Sequence, residues 1–339
     1  MRPKKTLIVG AFGTGNLGDD AILEGLLTKL KNEGRSKDDV VVFSRNPIQT
    51  EILSNVAAKR KNLFDIILCD EIIIGGGQLL QEGGWMAPKY SVLSLIAKLL
   101  GKHVTFFAVG VSPIKSRIVK ALVRLSLNIA DEISVRDLDS RYLLRNFGVT
   151  KKILITKDSA FYIEPISNED ATHLLAERNI KINGRKILVA ITSQHFRAQE
   201  LKKNPHDFLN ELIGNLLRKY NDVYFLFIPF TNHIDSRLDN DIIYGRWLEN
   251  KLNSKRFKVL DGKYTPQEIL GIISLFDYVI STRLHPLIFA FKVNVLGIGI
   301  DVFEKVRSFC SEYGLPIIHI NEPIASSSLV EKLIDQKIT

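Results

Sequence analysis

Residues 279–291 read VISTRLHPLIFAF, and this stretch decides the fold of the chain. It starts with apolar, β-branched residues typical of a strand buried on both faces, and it ends in an apolar run typical of a helix. Pro286 fits the first position of that helix, where its missing N–H costs nothing. A polar turn between a buried strand and a helix is where open α/β sheets bind ligands. The stretch therefore predicts an α/β fold with a ligand site at this turn.

The polar residues of the turn indicate the kind of ligand. Backbone N–H groups and the positive end of the helix dipole favour an anion at a helix start. The Arg283 guanidinium and the His285 imidazole add a fixed charge and a titratable proton. An incidental surface turn would explain either residue alone. Their combination in this setting, beside Ser281 and Thr282, favours an anion site.

Strand, polar turn and helix recur along the whole chain. A strand at 6–9 and a glycine-rich turn at 10–20 open the first half, and the pattern restarts with a strand at 187–192. We therefore expect two Rossmann-like α/β domains facing a cleft, covering residues 1–165 and 166–322. The last helix, within 323–339, is a candidate to pack back on the first domain.

Shorter segments are assigned from local composition. We expect a helix in the Lys-rich region 50–61 and a strand at 65–68. Residues 116–128 predict a basic amphipathic helix with an apolar stripe that includes Ile118 and Leu125. Burial of that stripe against the sheet is the favoured interpretation, because each βα unit needs such a helix. The alternative is that the helix lies on an anionic membrane.

The composition restricts the functional classes. The 339 residues carry a net charge of +9 and include 45% hydrophobic residues, which favours anionic partners and is enough for two cores. Two cysteines make no disulfide framework and fit a reducing compartment. No apolar window is long enough to span a membrane. No His/Cys cluster has the spacing of a zinc site, so no metal is expected.

The first-half glycines predict a second binding region. They give neither a dinucleotide fingerprint nor a phosphate loop. The acidic pair at the helix start would repel a phosphate but suits the hydroxyls of a neutral sugar, with helix capping as the alternative. The candidate residues for binding such a sugar, which would be the acceptor in a transfer reaction, are Asn16, Gly18, Asp19, Asp20, Gly76, Gly77 and Gln78.

Six motifs, each at the end of a predicted strand, resemble those of the polysaccharide pyruvyl transferase family across nearly the whole chain. They are NLGDDA at 16–21, GGGQLL at 75–80, GVSP at 110–113, SVRD at 134–137, DSAF at 158–161 and STRLHPLI at 281–288. The resemblance implies an architecture similar to that of the glycosyltransferase-B enzymes. It also implies transfer of the pyruvyl group of phosphoenolpyruvate onto a sugar, as a ketal.

The resemblance also implies which residues hold phosphoenolpyruvate, namely Arg136, Arg283, His285 and Lys305. Lys305 is assigned by spacing, and Pro286 replaces the small residue usual in the family. His285 would be the acid that protonates the methylene carbon. Asp235 is the candidate base for the sugar hydroxyl, against the alternative of a solvated loop carboxylate. Phosphoenolpyruvate is a co-substrate, and no cofactor is expected.

Two other interpretations stay open at this point. A glycosyltransferase that uses a nucleotide sugar would have the same two domains, although the cationic groups and His285 suit a small anion better. A non-catalytic protein that binds polyanions would fit the net charge of +9. Aromatic residues are not interleaved with a basic stripe, so nucleic acid is not expected. We expect a cytoplasmic enzyme with at most weak peripheral membrane contact, an acceptor whose lipid linkage is open, and no particular oligomeric state.

Overall fold

The computed structural model describes residues 4–82, 85–181, 187–193, 205–232 and 240–338. The chain divides into two compact units, Met1–Ile163 and Glu164–Thr339. Each unit is a parallel β-sheet with helices between its strands. Two parallel-sheet α/β domains are therefore present, as the sequence predicted.

The first unit holds a parallel sheet in which the described strands follow the order β3-β2-β1-β4-β5-β6-β7. The strands are β1 (Thr6–Val9), β2 (Val40–Phe43), β3 (Ala57–Lys59), β4 (Glu71–Gly75), β5 (His103–Val109), β6 (Glu132–Val135) and β7 (Leu154–Ile155). The α-helices are α1 (Leu17–Asn32), α2 (Pro47–Ser54), α3 (Leu63–Leu68), α4 (Met86–Leu99), α5 (Arg117–Ile129) and α6 (Leu138–Asn146). Short 3-10 helices occupy Lys37–Asp39 and Ser159–Tyr162.

The second unit holds a parallel sheet whose described strands follow the order β10-β9-β8-β11-β12-β13. The strands are β8 (Ile187–Thr192), β9 (Val223–Phe227), β10 (Phe257–Val259), β11 (Tyr278–Ser281), β12 (Leu296–Ile300) and β13 (Ile317–Ile318). The helices are α7 (Asn168–Glu177), α8 (Pro205–Lys219), α9 (Asp241–Leu252), α10 (Pro266–Ser274), α11 (Leu284–Lys292), α12 (Glu304–Tyr313) and α13 (Pro323–Ile338).

Each sheet has a point where the chain reverses its direction of growth. The first sheet grows from β1 through β2 to β3, and then continues on the other side of β1 with β4. The second sheet grows from β8 through β9 to β10, and then continues on the other side of β8 with β11. The loops diverge at the carboxyl ends of such strand pairs, which leaves a crevice for a ligand. The glycine-rich loops at 10–20, after β1, and at 75–80, after β4, flank the first reversal point. The turn at 281–283 flanks the second.

Alternating residues of the first sheet fill two cores. Leu7 and Val9 pack on one face of β1, whereas Ile8 packs on the other, and all three are buried. The continuous apolar run of β4 does the same with Ile72 and Ile73. This pattern is expected for parallel strands covered by helices on both faces. Burial of each such side chain contributes about 1.5–3 kcal/mol to the free energy of unfolding.

Two predictions between residues 50 and 68 were wrong. The expected helix 50–61 ends at Ser54, because Asn55 adopts a left-handed conformation with φ 52°, and β3 follows. The expected strand 65–68 is instead helix α3, which begins after Asn62. The Asn62 side chain accepts a hydrogen bond from the Phe64 N–H at 2.9 Å. The periodicity of a short apolar run does not distinguish a strand from a helix. The capping hydrogen bond of Asn62 is the local feature that favours the helix here.

Helix α5 buries a different face from the one that the sequence favoured. Val123, Ser126 and Leu127 are buried, at helical spacing. Ile118 is 81% exposed and Leu125 is 54% exposed. The expectation that their apolar stripe covers the sheet was therefore wrong. Helix α5 keeps an apolar, exposed face that carries basic residues.

The C-terminal helix α13 belongs to the second unit. Val330 and Ile334 are buried in the core of that unit. The Tyr278 hydroxyl donates to the Leu333 carbonyl at 2.6 Å, and Lys337 pairs with Asp277 at 3.1 Å. None of the helices in the described ranges combines the length and the apolar composition that a bilayer-spanning helix needs.

Candidate functional site

Buried hydroxyl groups fix the turn after β11. Thr192 ends β8, Ser281 ends β11, and their hydroxyls hydrogen-bond to each other across the reversal point. The Ser281 Oγ atom also accepts from the Arg283 N–H at 2.8 Å and donates to the Arg283 carbonyl at 2.9 Å. Both hydroxyl residues are completely buried. The Ser281 side chain thus holds the backbone of Arg283, which precedes the first residue of α11.

The Arg283 side chain is held by a buried carboxylate. Its Nη2 atom donates to Asp241 Oδ1 at 2.6 Å, and Asp241 is 1% exposed. The other carboxylate oxygen accepts from the N–H groups of Phe230 and Thr231, at 3.0 and 2.9 Å. Burial raises the pKa of Asp241, while Arg283 and the two N–H groups oppose that rise. These contacts fix the orientation of the guanidinium.

Two polar atoms beside this ion pair are buried without a hydrogen-bond partner among the described residues. They are the Arg283 Nε atom and the Thr231 hydroxyl. A buried donor that lacks an acceptor costs about 1–3 kcal/mol, and more when it is charged. A ligand oxygen would remove that cost. The orphaned guanidinium N–H is therefore an observation that favours an anionic ligand at this turn.

The remaining predicted donor-site residues of the second unit follow adjacent strands. His285 is the second residue of α11 and is half-buried. Lys305 is the second residue of α12, is exposed, and places its ammonium 5.5 Å from the centre of the Phe303 ring. Pro286 is the third helical residue, not the first as predicted, because α11 already begins at Leu284. The first turn of a helix has no acceptor for its N–H groups, so proline is also tolerated there.

A carboxylate–histidine pair at the same edge of the sheet was missed by the sequence analysis. Asp301 follows β12, and its Oδ2 atom lies 2.9 Å from His319 Nδ1. Its Oδ1 atom accepts from Arg307 at 2.9 Å. The backbone N–H of His319 donates to the Ser326 hydroxyl at 3.0 Å. Only the tertiary fold brings these residues together, because His319 follows a different strand.

Arg136 lies in the first unit, directly after β6, and it is nearly buried. Its guanidinium pairs with Asp158 at 3.2 Å and with Asp137 at 3.4 Å. Guanidinium atoms of Arg136 lie 2.9–3.0 Å from the position that a Cβ atom of Gly110 would occupy. A side chain at position 110 would therefore displace the arginine. Residues of three motifs therefore lie together here: Gly110 of GVSP lies beside the ion pair between Arg136 of SVRD and Asp158 of DSAF.

The glycine loop after β4 is held tightly by its neighbours. Gly76 and Gly77 have positive φ angles of 65° and 74°, and a Cβ atom on Gly76 would lie 1.7 Å from an Ile22 methyl group. The Gln78 amide donates to the Ser112 hydroxyl. These glycines therefore have a structural role in addition to any contact with a ligand, since a side chain there would be strained and would clash.

The start of α1 lies beside this loop. Asn16 is the N-cap residue, and its side chain accepts from the N–H of the buried Gly18 at 3.0 Å. A Cβ atom on Gly77 would lie 3.6 Å from an Asp19 carboxylate oxygen. Burial, and then the charges of Asp19 and Glu24, raise the pKa of Asp20 to about 7. Asp20 can therefore exchange a proton near neutral pH, which the sequence did not indicate.

The predicted donor-site residues are divided between the units: Arg136 lies in the first, and Arg283, His285 and Lys305 lie in the second. Asp235, the predicted base, lies outside the described residues. Within the described ranges, no group of three or more His, Cys, Asp and Glu side chains is arranged to hold a metal ion.

Comparison with solved structures defines the class of fold. A UDP-GlcNAc 2-epimerase from Methanocaldococcus jannaschii superposes with a TM-score of 0.63 at 13% identity, over 97% of this chain and 91% of the other. A glycosyltransferase from Rickettsia africae superposes with a TM-score of 0.58 at 12% identity, over 99% and 89%. The fold is that of the glycosyltransferase-B-like proteins.

The family follows from the sequence comparisons. The sequence model of the polysaccharide pyruvyl transferases matches residues 16–302. The chain is also 21% identical to the amylovoran biosynthesis protein AmsJ of Erwinia amylovora, over 92% of this chain and 86% of that protein. This chain belongs to the polysaccharide pyruvyl transferase family, which confirms the resemblance that its motifs indicated.

Proposed function

We propose that this protein transfers the pyruvyl group of phosphoenolpyruvate onto a sugar of a cell-surface glycan, or of its precursor, as a ketal with release of phosphate. Membership of the family supports a transferase of this kind. The observation that carries the proposal is the buried Nε donor of Arg283, at the strand-reversal point of the second sheet, which has no hydrogen-bond partner among the described residues. A planar carboxylate or a phosphate matches the fork of a guanidinium.

The proposed donor site uses the four residues that the motifs identified. Arg283 binds an oxygen of phosphoenolpyruvate while Asp241 fixes its orientation. The N–H groups at the start of α11 contribute to the binding of that anion. Lys305 and Arg136 add positive charge. Asp241 neutralises part of the charge of Arg283, so the additional cations are needed to hold both the carboxylate and the phosphate.

The proposed reaction starts with a proton. His285 donates it to the methylene carbon of phosphoenolpyruvate, so that the central carbon becomes electrophilic. A sugar hydroxyl adds to that carbon and loses its proton to a base. The bond between the central carbon and the phosphate oxygen then breaks, and phosphate leaves. A second hydroxyl of the sugar adds in its place, loses its proton, and closes the ketal ring.

The acceptor is proposed to bind at the first unit. Asp19, Asp20 and Gln78 offer hydrogen-bonding groups for hydroxyls, while Asn16, Gly18, Gly76 and Gly77 shape the surrounding loops. Asp235 is retained as the proposed base. The reaction as proposed uses phosphoenolpyruvate as a co-substrate and needs neither a metal nor a separate cofactor.

The proposed location is the cytoplasm, where phosphoenolpyruvate is made. Cys69 and Cys310 are free and buried, and burial raises the pKa of each thiol to about 11. Both are therefore poor nucleophiles. We include peripheral contact with the inner face of the membrane in the proposal, because the exposed face of α5 combines apolar and basic side chains.

A ligand-binding comparison separates this proposal from a glycosyltransferase that uses a nucleotide sugar. The full chain is heated with phosphoenolpyruvate or with a panel of nucleotide sugars, and the unfolding temperature is recorded. We expect stabilisation by phosphoenolpyruvate that is lost in Arg283→Ala. Stabilisation by a nucleotide sugar, with none by phosphoenolpyruvate, would favour the glycosyltransferase instead.

A further inference from the structure

Two lysine ammonium groups of the first unit converge on one aromatic ring. The Lys61 Nζ atom lies 5.5 Å from the centre of the Tyr90 ring, and the Lys89 Nζ atom lies 4.8 Å from it. Lys61 follows β3, whereas Lys89 and Tyr90 belong to α4. Lys89 is also one of the charges that lower the pKa of Lys61. Like charges at this separation repel unless something between them is negative.

No salt bridge among the described residues involves either lysine. Neither Lys61 nor Lys89 has an acidic partner within 4.0 Å among the described residues, and the same holds for the nearby Arg45. Partial burial, and then Lys89 and Arg45, lower the pKa of Lys61 to about 7. The ring of Tyr90 faces the cations but carries no full charge. The two lysines therefore lie together without a salt bridge to either of them among the described residues.

The hydroxyl of Tyr90 provides a second, independent observation. Tyr90 is completely buried, and its hydroxyl has no hydrogen-bond partner among the described residues. Buried tyrosine hydroxyls ordinarily find a partner. A ligand oxygen, or a water molecule held by a ligand, would satisfy this group. The two lysines therefore lie beside a residue whose hydroxyl still lacks a hydrogen-bond partner among the described residues.

The cluster of Lys61, Lys89 and Arg45 borders the region that the proposed function assigns to the acceptor. The Arg45 N–H donates to the Phe12 carbonyl at 3.1 Å, in the glycine-rich turn 10–20 that leads to Asp19. Burial, and then the charge of Asp19, raise the pKa of the Tyr90 hydroxyl. Asp19 also lies beside Gly77 in the glycine loop. The carboxylates of α1 would repel a phosphate, whereas Lys89, Arg45 and the protonated form of Lys61 attract one. Adjacent regions of the first unit therefore suit the two parts of a single ligand, the sugar and the phosphate.

We infer that Lys61, Lys89 and Arg45 bind a phosphate or diphosphate group attached to the acceptor sugar. The acceptor is then a glycosyl phosphate and not a free sugar. The inference rests on the proposed function only in assigning the acceptor to the first unit. A nucleoside diphosphate sugar and a lipid diphosphate sugar share this chemistry, and the experiment must distinguish them.

The first experiment measures binding without turnover, by calorimetry of the full chain with inorganic pyrophosphate. We expect Lys61→Gln and Lys89→Gln each to weaken binding by about tenfold or more. Lys31→Gln is the matched control, because Lys31 is an exposed lysine in the last turn of α1. Binding that persists in both cluster variants but disappears in Arg283→Ala would place pyrophosphate in the donor site, and it would overturn the inference.

The second experiment compares acceptors in the release of phosphate from phosphoenolpyruvate. The same sugar is supplied free, as a nucleoside diphosphate sugar, and as a short-chain polyprenyl diphosphate sugar. We expect one of the two diphosphates to be preferred over the free sugar, with the preference lost in Lys61→Gln. Equal use of the free sugar would overturn the inference. Pyrophosphate binding that depends on the lysines, without turnover of any acceptor, would instead contradict the proposed function. It would still support an anion-binding site at Lys61 and Lys89.

Discussion

Asp241 and Arg283 form an ion pair, with 2.6 Å between Asp241 Oδ1 and Arg283 Nη2, that joins the start of α9, the helix after β9, to the turn after β11. Strand β8 lies between those two strands in the sheet, so the pair extends over the carboxyl end of β8. Both partners are largely buried, with side-chain exposures of 1% and 14%. Removal of one partner would leave the other charge buried and uncompensated. The pair therefore connects the stability of the second unit to the geometry of its proposed donor site.

The first prediction concerns the free energy of unfolding. We expect Asp241→Asn to lower it by about 3–5 kcal/mol, because it breaks a buried ion pair. Urea denaturation measures the change. Asp261→Asn is the matched control, since Asp261 pairs with Arg246 on the surface, at exposures of 55% and 47%. Its effect should stay below about 1 kcal/mol. Equal small effects in the two variants would contradict the structural role of Asp241.

The second prediction separates donor binding from chemistry. We expect His285→Ala to lower the rate of transfer by about 100- to 10,000-fold, as for loss of a general acid, with little effect on phosphoenolpyruvate binding. Arg283→Ala and Arg136→Ala should instead weaken that binding by about 2–5 kcal/mol each. Steady-state kinetics and calorimetry measure the two effects. His173→Ala, which removes an exposed histidine of α7, is the control. Unchanged turnover in His285→Ala would exclude this histidine as the acid.

The third prediction follows from the pKa of Asp20, which is raised from 3.8 to about 7. Between these two values the folded state binds a proton that the unfolded state has released. The contribution of Asp20 to the free energy of unfolding therefore falls as the pH rises from about 4 to about 7. We expect Asp20→Asn to remove this decline, so that the variant gains stability relative to the wild type as the pH rises. Thermal unfolding at several pH values measures the difference.

Asp38→Asn serves as the control for that measurement, because it removes one exposed carboxylate from the first unit. A constant difference in stability between Asp20→Asn and the wild type at every pH would contradict the raised pKa. It would indicate instead that the pKa of Asp20 is the same in the folded and the unfolded state.

The fourth prediction concerns membranes. Ile118 and Leu125 are exposed on α5 beside basic residues, and each basic residue near an anionic surface contributes about 1 kcal/mol. We expect the protein to co-sediment with anionic vesicles, to be released partly by salt, and to bind less after Ile118→Ser and Leu125→Ser. Ile48→Ser is the control, since Ile48 is 72% exposed on α2. Absence of sedimentation with anionic vesicles at low salt would exclude this surface as a membrane contact.

The sequence predicted the parts of the fold that depend on local patterns. The apolar runs of β1, β4 and β11, each followed by glycines or a polar turn, were sufficient to predict these three strands and the loops at their carboxyl ends. A local pattern also marks the start of α10, where Thr265 and Glu268 form a capping box. Helix α3 was missed because its six residues are too few to show a helical period.

The site was predicted only where one motif carries it. Arg283 and His285 were placed correctly at the start of a helix, because strand, turn and helix are contiguous there. Asp241, the partner of Arg283, lies 42 positions earlier in the chain. No local sequence pattern predicts an ion pair between residues so far apart in the chain. The convergence of Lys61 and Lys89 on Tyr90 was missed for the same reason.

The central claim is that phosphoenolpyruvate is the donor, and the most direct test is acceptor-dependent release of inorganic phosphate from phosphoenolpyruvate by the full chain. The account predicts one phosphate released for each pyruvyl group that mass spectrometry finds on the acceptor, and no release above background in His285→Ala. Consumption of a nucleotide sugar with no phosphate released from phosphoenolpyruvate, across a panel of free and diphosphate-linked acceptors, would contradict it.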